Sequence, residues 1–159
     1  MCSTIAVARS NTNIIYTGSR GGRVMMSKLN GGADWNNITS SPLPTRSITN
    51  ITVSPTNANL VYLTVSGYGS GHVFRSTNGG ANSTDISNNL PNIPTSAFLI
   101  DPLNASILYA GTDIGVFRST DSGATWTVFN NNLPPVPRHG VCSSGERPDS
   151  NRDLWPWRL

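Results

Sequence analysis

Ser119-Thr120-Asp121-Ser122-Gly123-Ala124-Thr125-Trp126 decides the architecture of this chain, because two weaker copies of it stand upstream at regular spacing. The middle copy is Ser76-Thr77-Asn78-Gly79-Gly80-Ala81-Asn82-Ser83, and the first is Ser27-Lys28-Leu29-Asn30-Gly31-Gly32-Ala33-Asp34-Trp35. Each follows an apolar run built around a tyrosine: Ile14-Ile15-Tyr16-Thr17-Gly18, Leu60-Val61-Tyr62-Leu63-Thr64 and Ile107-Leu108-Tyr109-Ala110-Gly111. Tyr16, Tyr62 and Tyr109 stand 46 and 47 residues apart. Between the copies lie Pro/Asn-rich connectors and one further apolar run each, at 47–53 and 96–100.

Self-similarity at about 40–50 residues is the signature of four-stranded propeller blades. Each unit divides into four short strands, a to d. Strand a falls at 4–8, 47–53 and 96–100, strand b carries the tyrosine, strand c falls at 22–27, 72–76 and 115–119, and strand d at 35–39, 83–86 and 126–129. Pro and Asn-Gly clusters sit at the joints, where turns need them, and not inside the runs. The expected fold is therefore all-β: an incomplete β-propeller of about three four-stranded antiparallel blades (roughly 4–39, 47–86 and 96–129) within residues 1–137. Three blades do not close a ring that needs about 4–8.

Composition agrees. Of 159 residues 36% are hydrophobic and 12% charged, with Gly 15 and Pro 11, a mixture that favours turns and short strands over helices. A net charge of +3, scattered along the chain, does not suggest nucleic-acid binding. Cys2 and Cys142 are too few for a disulfide framework or a zinc site, and no His/Cys/Asp spacing suggests a metal. No apolar run approaches the ~20 residues of a membrane span, and no signal-peptide pattern opens the chain. The glycines of 18–22 and 67–71 are not followed by the Lys-Ser/Thr and helix of a phosphate loop. No cofactor is expected.

The stretch 119–126 fits Ser-x-Asp-x-Gly-x-Thr-Trp without a mismatch and resembles the Asp-box, or BNR repeat. The chain resembles Asp-box β-propellers: bacterial sialidases, xyloglucan-cleaving glycosidases, sortilin-type receptors and photosystem II assembly propellers. Ser119, Asp121, Gly123 and Trp126 carry the full motif; Asn78 and Gly80 remain in the middle copy, and Asn30, Gly32 and Trp35 in the first, beside one inserted residue. Asp34 occupies the first copy as well. A short carboxylate in such a turn caps backbone N–H groups of its own loop, glycine permits the reversal, and the indole packs on neighbouring strands. Asp121 thus reads as a turn cap and not as a catalytic acid or metal ligand. The resemblance places the box on the outer rim, away from the axial site.

In a propeller the b–c and d–a loops share one face, and the resemblance puts active sites there. That face should carry Arg20, Arg23, Arg46, Tyr68, His72 and Asp113, with the stretches 87–95 and 130–137. The arginines suit acidic groups, Tyr68 a sugar ring, and His72 acid/base work; solvated or packed side chains are the blander reading of each. Asp113 is the best-placed carboxylate, but glycosidases need two facing each other. Asp34 and Asp121 belong to boxes and Asp101 to an Asp-Pro turn, so no partner for Asp113 emerges. The expected role is a non-catalytic module that binds or scaffolds a glycan or protein, completed by further blades of a larger, secreted bacterial parent. The alternative is a piece of a sialidase- or xyloglucanase-like glycoside hydrolase with an incomplete site.

Past Pro137 the blade register stops, and 138–159 reads as an irregular tail. Reading the codons one nucleotide later turns Trp155-Pro156 and Trp157-Arg158 into glycines and permits Thr-Tyr-Gly-Arg-Gly-Val at the end, which resembles a b–c segment of the family. A frameshift out of a fourth blade accounts for the tail, and the gene sequence tests it.

Overall fold

The computed structural model describes residues 1–129; the tail, Cys142 and the stretch 130–137 lie outside the described residues. Twelve strands form three antiparallel four-stranded sheets, each a simple meander. The first holds β1 (Cys2–Val7), β2 (Ile15–Ser19), β3 (Val24–Ser27) and β4 (Asn36–Asn37). The second holds β5 (Ile48–Val53), β6 (Val61–Val65), β7 (Val73–Ser76) and β8 (Thr84–Asp85), and the third β9 (Thr95–Ile100), β10 (Leu108–Thr112), β11 (Gly115–Ser119) and β12 (Thr127–Val128). This is an incomplete three-blade propeller with no helix among the described residues.

The outermost strands are only two residues long, shorter than the four or five expected. Side chains take over the ladder where they end. Thr39 Oγ1 accepts the Val24 amide at 2.8 Å, and Ser87 Oγ accepts those of His72 and Val73 at 2.7 and 3.0 Å. Asn37 and Asp85 hold those hydroxyl residues by accepting the amides of Thr39 and Ser87 at 3.0 and 2.8 Å. A hydroxyl that replaces a backbone partner satisfies the donor but stops the strand.

Two apolar layers lie between the sheets. Tyr16, Val24 and Met26 of the first sheet pack on Ile51, Val61, Leu63 and Phe74 of the second. Tyr62, Val73 and Ile86 of the second pack on Phe98, Leu108, Phe117 and Trp126 of the third. Period-2 alternation makes this work: Tyr62 faces forward to the third sheet while Val61 and Leu63 face back to the first. The Tyr62 ring stacks on Phe98 with centroids 5.1 Å apart, and the Tyr16 hydroxyl donates to the Ala58 carbonyl at 2.9 Å. Burial raises the pKa of both tyrosines. Tyr16→Phe should cost about 1 kcal/mol in urea unfolding, since it leaves the Ala58 carbonyl without its donor but keeps the packing.

Strands β1, β5 and β9 stand side by side at the inner edge. In each, one residue is skipped in the pairing with its neighbour: Ser3 between Cys2 and Thr4, Thr49 between Ile48 and Asn50, and Ser96 between Thr95 and Ala97. Such a bulge re-aims one side chain. Ser3 Oγ thereby reaches the Ile48 carbonyl at 2.6 Å, and Thr49 Oγ1 reaches the Thr95 carbonyl at 2.5 Å, tying each sheet to the next.

Candidate functional site

The three Ser-containing turns share one backbone form. Two successive left-handed residues follow in each, at Asn30-Gly31, Gly79-Gly80 and Ser122-Gly123. The serine oxygen accepts the amide of the second: Gly31 to Ser27 at 3.0 Å, Gly80 to Ser76 at 2.8 Å, Gly123 to Ser119 at 2.8 Å. In the third turn Asp121 accepts from Ser119 Oγ at 2.7 Å, from the Thr125 amide at 2.8 Å and from Thr125 Oγ1 at 2.6 Å. Asn78 repeats the pattern with Ser76 Oγ at 3.0 Å and the Asn82 amide at 2.9 Å.

The first turn departs from the sequence alignment. Asn30 and Gly32 do not hold the places of Asp121 and Gly123: Asn30 matches Ser122 in its positive φ, and Gly31 is the glycine that binds the serine. The place of Asp121 is taken by Leu29, so the carboxylate comes from the far side of the turn. Asp34 accepts Ser27 Oγ at 2.5 Å and the Lys28 amide at 2.6 Å. The inserted residue lies after Gly31, and a one-residue shift of register among glycines was invisible in the sequence. Trp35 is 38% exposed where Trp126 is 3% exposed.

Hydrogen bonds to the ionised forms set the acidities of these turns. The Thr125 hydroxyl, the Thr125 amide and the Ser119 hydroxyl hold the Asp121 carboxyl at about 2, below the usual 3.8, and the Ser27 hydroxyl lowers that of Asp34. A depressed carboxyl contributes stability above its unfolded pKa, and that contribution is lost as pH falls toward the folded value. The melting temperature of the native chain should therefore drop between about pH 4 and pH 2 more steeply than that of Asp121→Asn, in which an amide replaces the titrating group as Asn78 does in the second turn.

The loop face of the first and second sheets is a different environment. Gly22, at φ 80°, lies with its Cα against the backbone of Arg46: an added Cβ would stand 2.8 Å from the Arg46 nitrogen. The Arg46 guanidinium in turn crosses to the glycine loop of the second sheet. Its Nη2 donates to the Tyr68 carbonyl at 2.9 Å, and it covers Gly67, where a Cβ would be 2.7 Å from Nη1. Asn92 continues the chain of contacts, accepting the Gly69 amide at 2.6 Å and meeting His72 Nε2 at 3.1 Å. Because Asn92 Oδ1 already accepts from Gly69, His72 Nε2 is the donor there.

Arg20 and Arg23 flank the loop that Arg46 meets at Gly22, and Tyr68 stands in the loop that Arg46 meets at Gly67; all four are exposed, Tyr68 60% so. His72 is not exposed with them. It is 2% exposed just before β7, and its Nδ1 is buried without a hydrogen-bond partner. Beside it an open cleft of about 470 Å³ is lined by Ser70, Asp85, Ser87 and Asn92 among others. Asp113 is exposed in the hairpin between β10 and β11, which is closed by Thr112 Oγ1 donating to the Gly115 carbonyl at 2.7 Å. Asp101 accepts the amides of Leu103 and Asn104 in its own turn. Asn92 falls within the stretch 87–95 expected on the loop face, but its contacts and the bulged hydroxyls carry no sequence signal, because an Asn among Asn and Pro, or a Ser in a strand, does not stand out from its neighbours.

Neither a protein-family model nor a curated protein matches the sequence. Solved structures are similar. An ancestral GH74 enzyme matches at 25% identity and TM-score 0.65, over 80% of this chain and 18% of that one. The GH74 xyloglucanase from Xanthomonas campestris matches at 20% identity and TM-score 0.65, over 80% and 20%. YCF48 from Cyanidioschyzon merolae matches at 16% identity and TM-score 0.60, over 80% and 36%, and a structure of YCF48 bound to D1 peptide is also similar. The chain spans about a fifth of the GH74 enzymes and about a third of that YCF48. These likenesses agree with the sheets and turns described above: residues 1–129 are three consecutive blades of a β-propeller.

Proposed function

We propose that this chain is a non-catalytic, Asp-box-type binding module of a larger propeller assembly, and that it grips a protein segment carrying carboxylates. The observation that carries this is the junction at Arg46, whose backbone meets Gly22 of the 18–23 loop and whose guanidinium meets Gly67 and the Tyr68 carbonyl of the 67–71 loop, with Arg20, Arg23, Arg46 and Tyr68 all exposed. Arginine and tyrosine are the residues that dominate protein interfaces. Against catalysis stands the state of the carboxylates among the described residues: Asp34, Asp85, Asp101 and Asp121 each accept hydrogen bonds within their own turn, and Asp113 stands on another sheet from the cleft.

A second reading rests on the cleft beside His72, whose serine, asparagine and aspartate lining suits the hydroxyls of a glycan. Titration separates the two. The full chain should bind hexaglutamate with an affinity that falls with added salt and drops at least tenfold in Arg20→Ala/Arg23→Ala, whose side chains hold no loop together. Binding of a neutral oligosaccharide, unchanged in that variant, would instead favour the cleft.

A further inference from the structure

The open cleft of about 470 Å³ beside His72 holds a charge that the fold does not use. Asp85 lines it and accepts the amide and the hydroxyl of Ser87 through Oδ1 alone, at 2.8 and 2.6 Å. Asn37 does the same work for Thr39 in the first sheet, at 3.0 and 2.7 Å, with a neutral amide. The two stand at matching places of their outermost strands, Asn37 opposite Met25 and Asp85 opposite Phe74. Ending the strand therefore needs one oxygen and no charge. Among the described residues no hydrogen bond reaches Asp85 Oδ2. Gly71 makes room for it, since a Cβ there would collide with the carboxylate.

Other polar groups lining the cleft are left as acceptors. The Ser70 hydroxyl gives its proton to the Gly71 carbonyl at 3.2 Å. Asn88, held at φ 39°, donates from Nδ2 to the Gly123 carbonyl at 2.7 Å and keeps Oδ1 for an incoming donor. His72, 2% exposed, donates from Nε2 to Asn92, so in the neutral ring Nδ1 is an acceptor, and no donor reaches it. One unengaged carboxylate among neutral acceptors, with no Lys or Arg in the lining, suits a group that only donates. An ammonium has three donors and no acceptor. We infer that the cleft takes the ammonium of a lysine on the same partner segment whose carboxylates meet the Arg46 junction, an inference that rests on that reading of the junction. The two subsites are close: Arg46 donates to the Tyr68 carbonyl, Asp85 stands against Gly71, and the chain from Tyr68 to Gly71 spans at most about 11 Å. The partner is thus an extended segment with acidic and basic side chains a few residues apart, and the opposite charges of the two subsites set its direction.

Calorimetric titration of the full chain at low salt should show acetyl-Glu-Glu-Gly-Gly-Lys-amide binding at least fivefold tighter than its Gln counterpart. Asp85→Asn, which keeps an oxygen for Ser87 as Asn37 does for Thr39, should erase that difference without weakening the Gln peptide. Should that variant fail to fold, Gly71→Ala, which crowds the carboxylate out of its place, decides instead. Equal affinities in the native chain, or a lysine preference that survives the substitution, would overturn the inference. The Arg46 reading would still stand if the Gln peptide binds and weakens tenfold in Arg20→Ala/Arg23→Ala. If neither peptide binds, that reading fails, and Nα-acetyl-lysine amide alone then tests the cleft by NMR. Amide shifts at 70–72, 85–88 and 92 that vanish in Asp85→Asn would support an ammonium site, and silence at those amides would overturn it.

Discussion

Trp126→Ala is expected to cost about 3–5 kcal/mol, enough to remove much of the stability of a domain this size. The indole is 3% exposed, lies edge-on to Phe98 with centroids 6.5 Å apart, and donates from Nε1 to the Ile86 carbonyl at 2.9 Å. Its own backbone is clamped by Asn89, which accepts the Trp126 amide at 2.8 Å and donates to its carbonyl at 2.7 Å. Truncation therefore opens a cavity between the second and third sheets and leaves a buried carbonyl without its donor. Urea unfolding followed by far-ultraviolet circular dichroism measures the loss. Trp126→Phe should recover most of the packing and lose about 1–2 kcal/mol, the share of the unsatisfied carbonyl.

Gly123→Ala should cost roughly 2–4 kcal/mol, from two sources that add at one atom. Gly123 sits at φ 94°, where a side chain is strained, and the new methyl would stand 2.7 Å from Ile86 Cδ1 and 3.2 Å from Ile86 Cβ. The neighbour cannot yield freely, because Ile86 is 5% exposed within the layer between the sheets. Gly69→Ala is the control: it has a similar φ of 77° but nothing within 4 Å, so only the backbone strain of about 1 kcal/mol should appear. Denaturant midpoints of the two variants separate strain from crowding.

The blade pattern was legible because it rests on features that repeat in type. A tyrosine every 46 or 47 residues, a serine-led glycine turn and proline at the joints survive divergence, since each answers a steric demand of the same fold. What escaped reading depends on single-residue register or on contacts between distant segments. Whether Asn30 or Gly31 binds Ser27 turns on one inserted residue in a glycine-rich loop. The short outer strands follow from Thr39 and Ser87 standing where the ladder would continue, and neither residue differs in kind from its neighbours. The face of Arg20, Arg23, Arg46 and Tyr68 was nameable from loop topology alone. The role of Arg46 in joining two loops was not, because it depends on Gly22 and Gly67 yielding space to it. His72 was placed on that face by its loop, yet folding buries it beneath Asn92.

Amide-detected NMR of the full chain, titrated with hexaglutamate at low salt, tests most directly whether the Arg46 junction is a binding face. Saturable shifts are expected at the amides of 20–23, 46 and 67–71, with those of the turn at 119–126 unmoved. Shifts confined to the 119–126 turn or to the hairpin bearing Asp113, with the Arg46 junction silent, would contradict it.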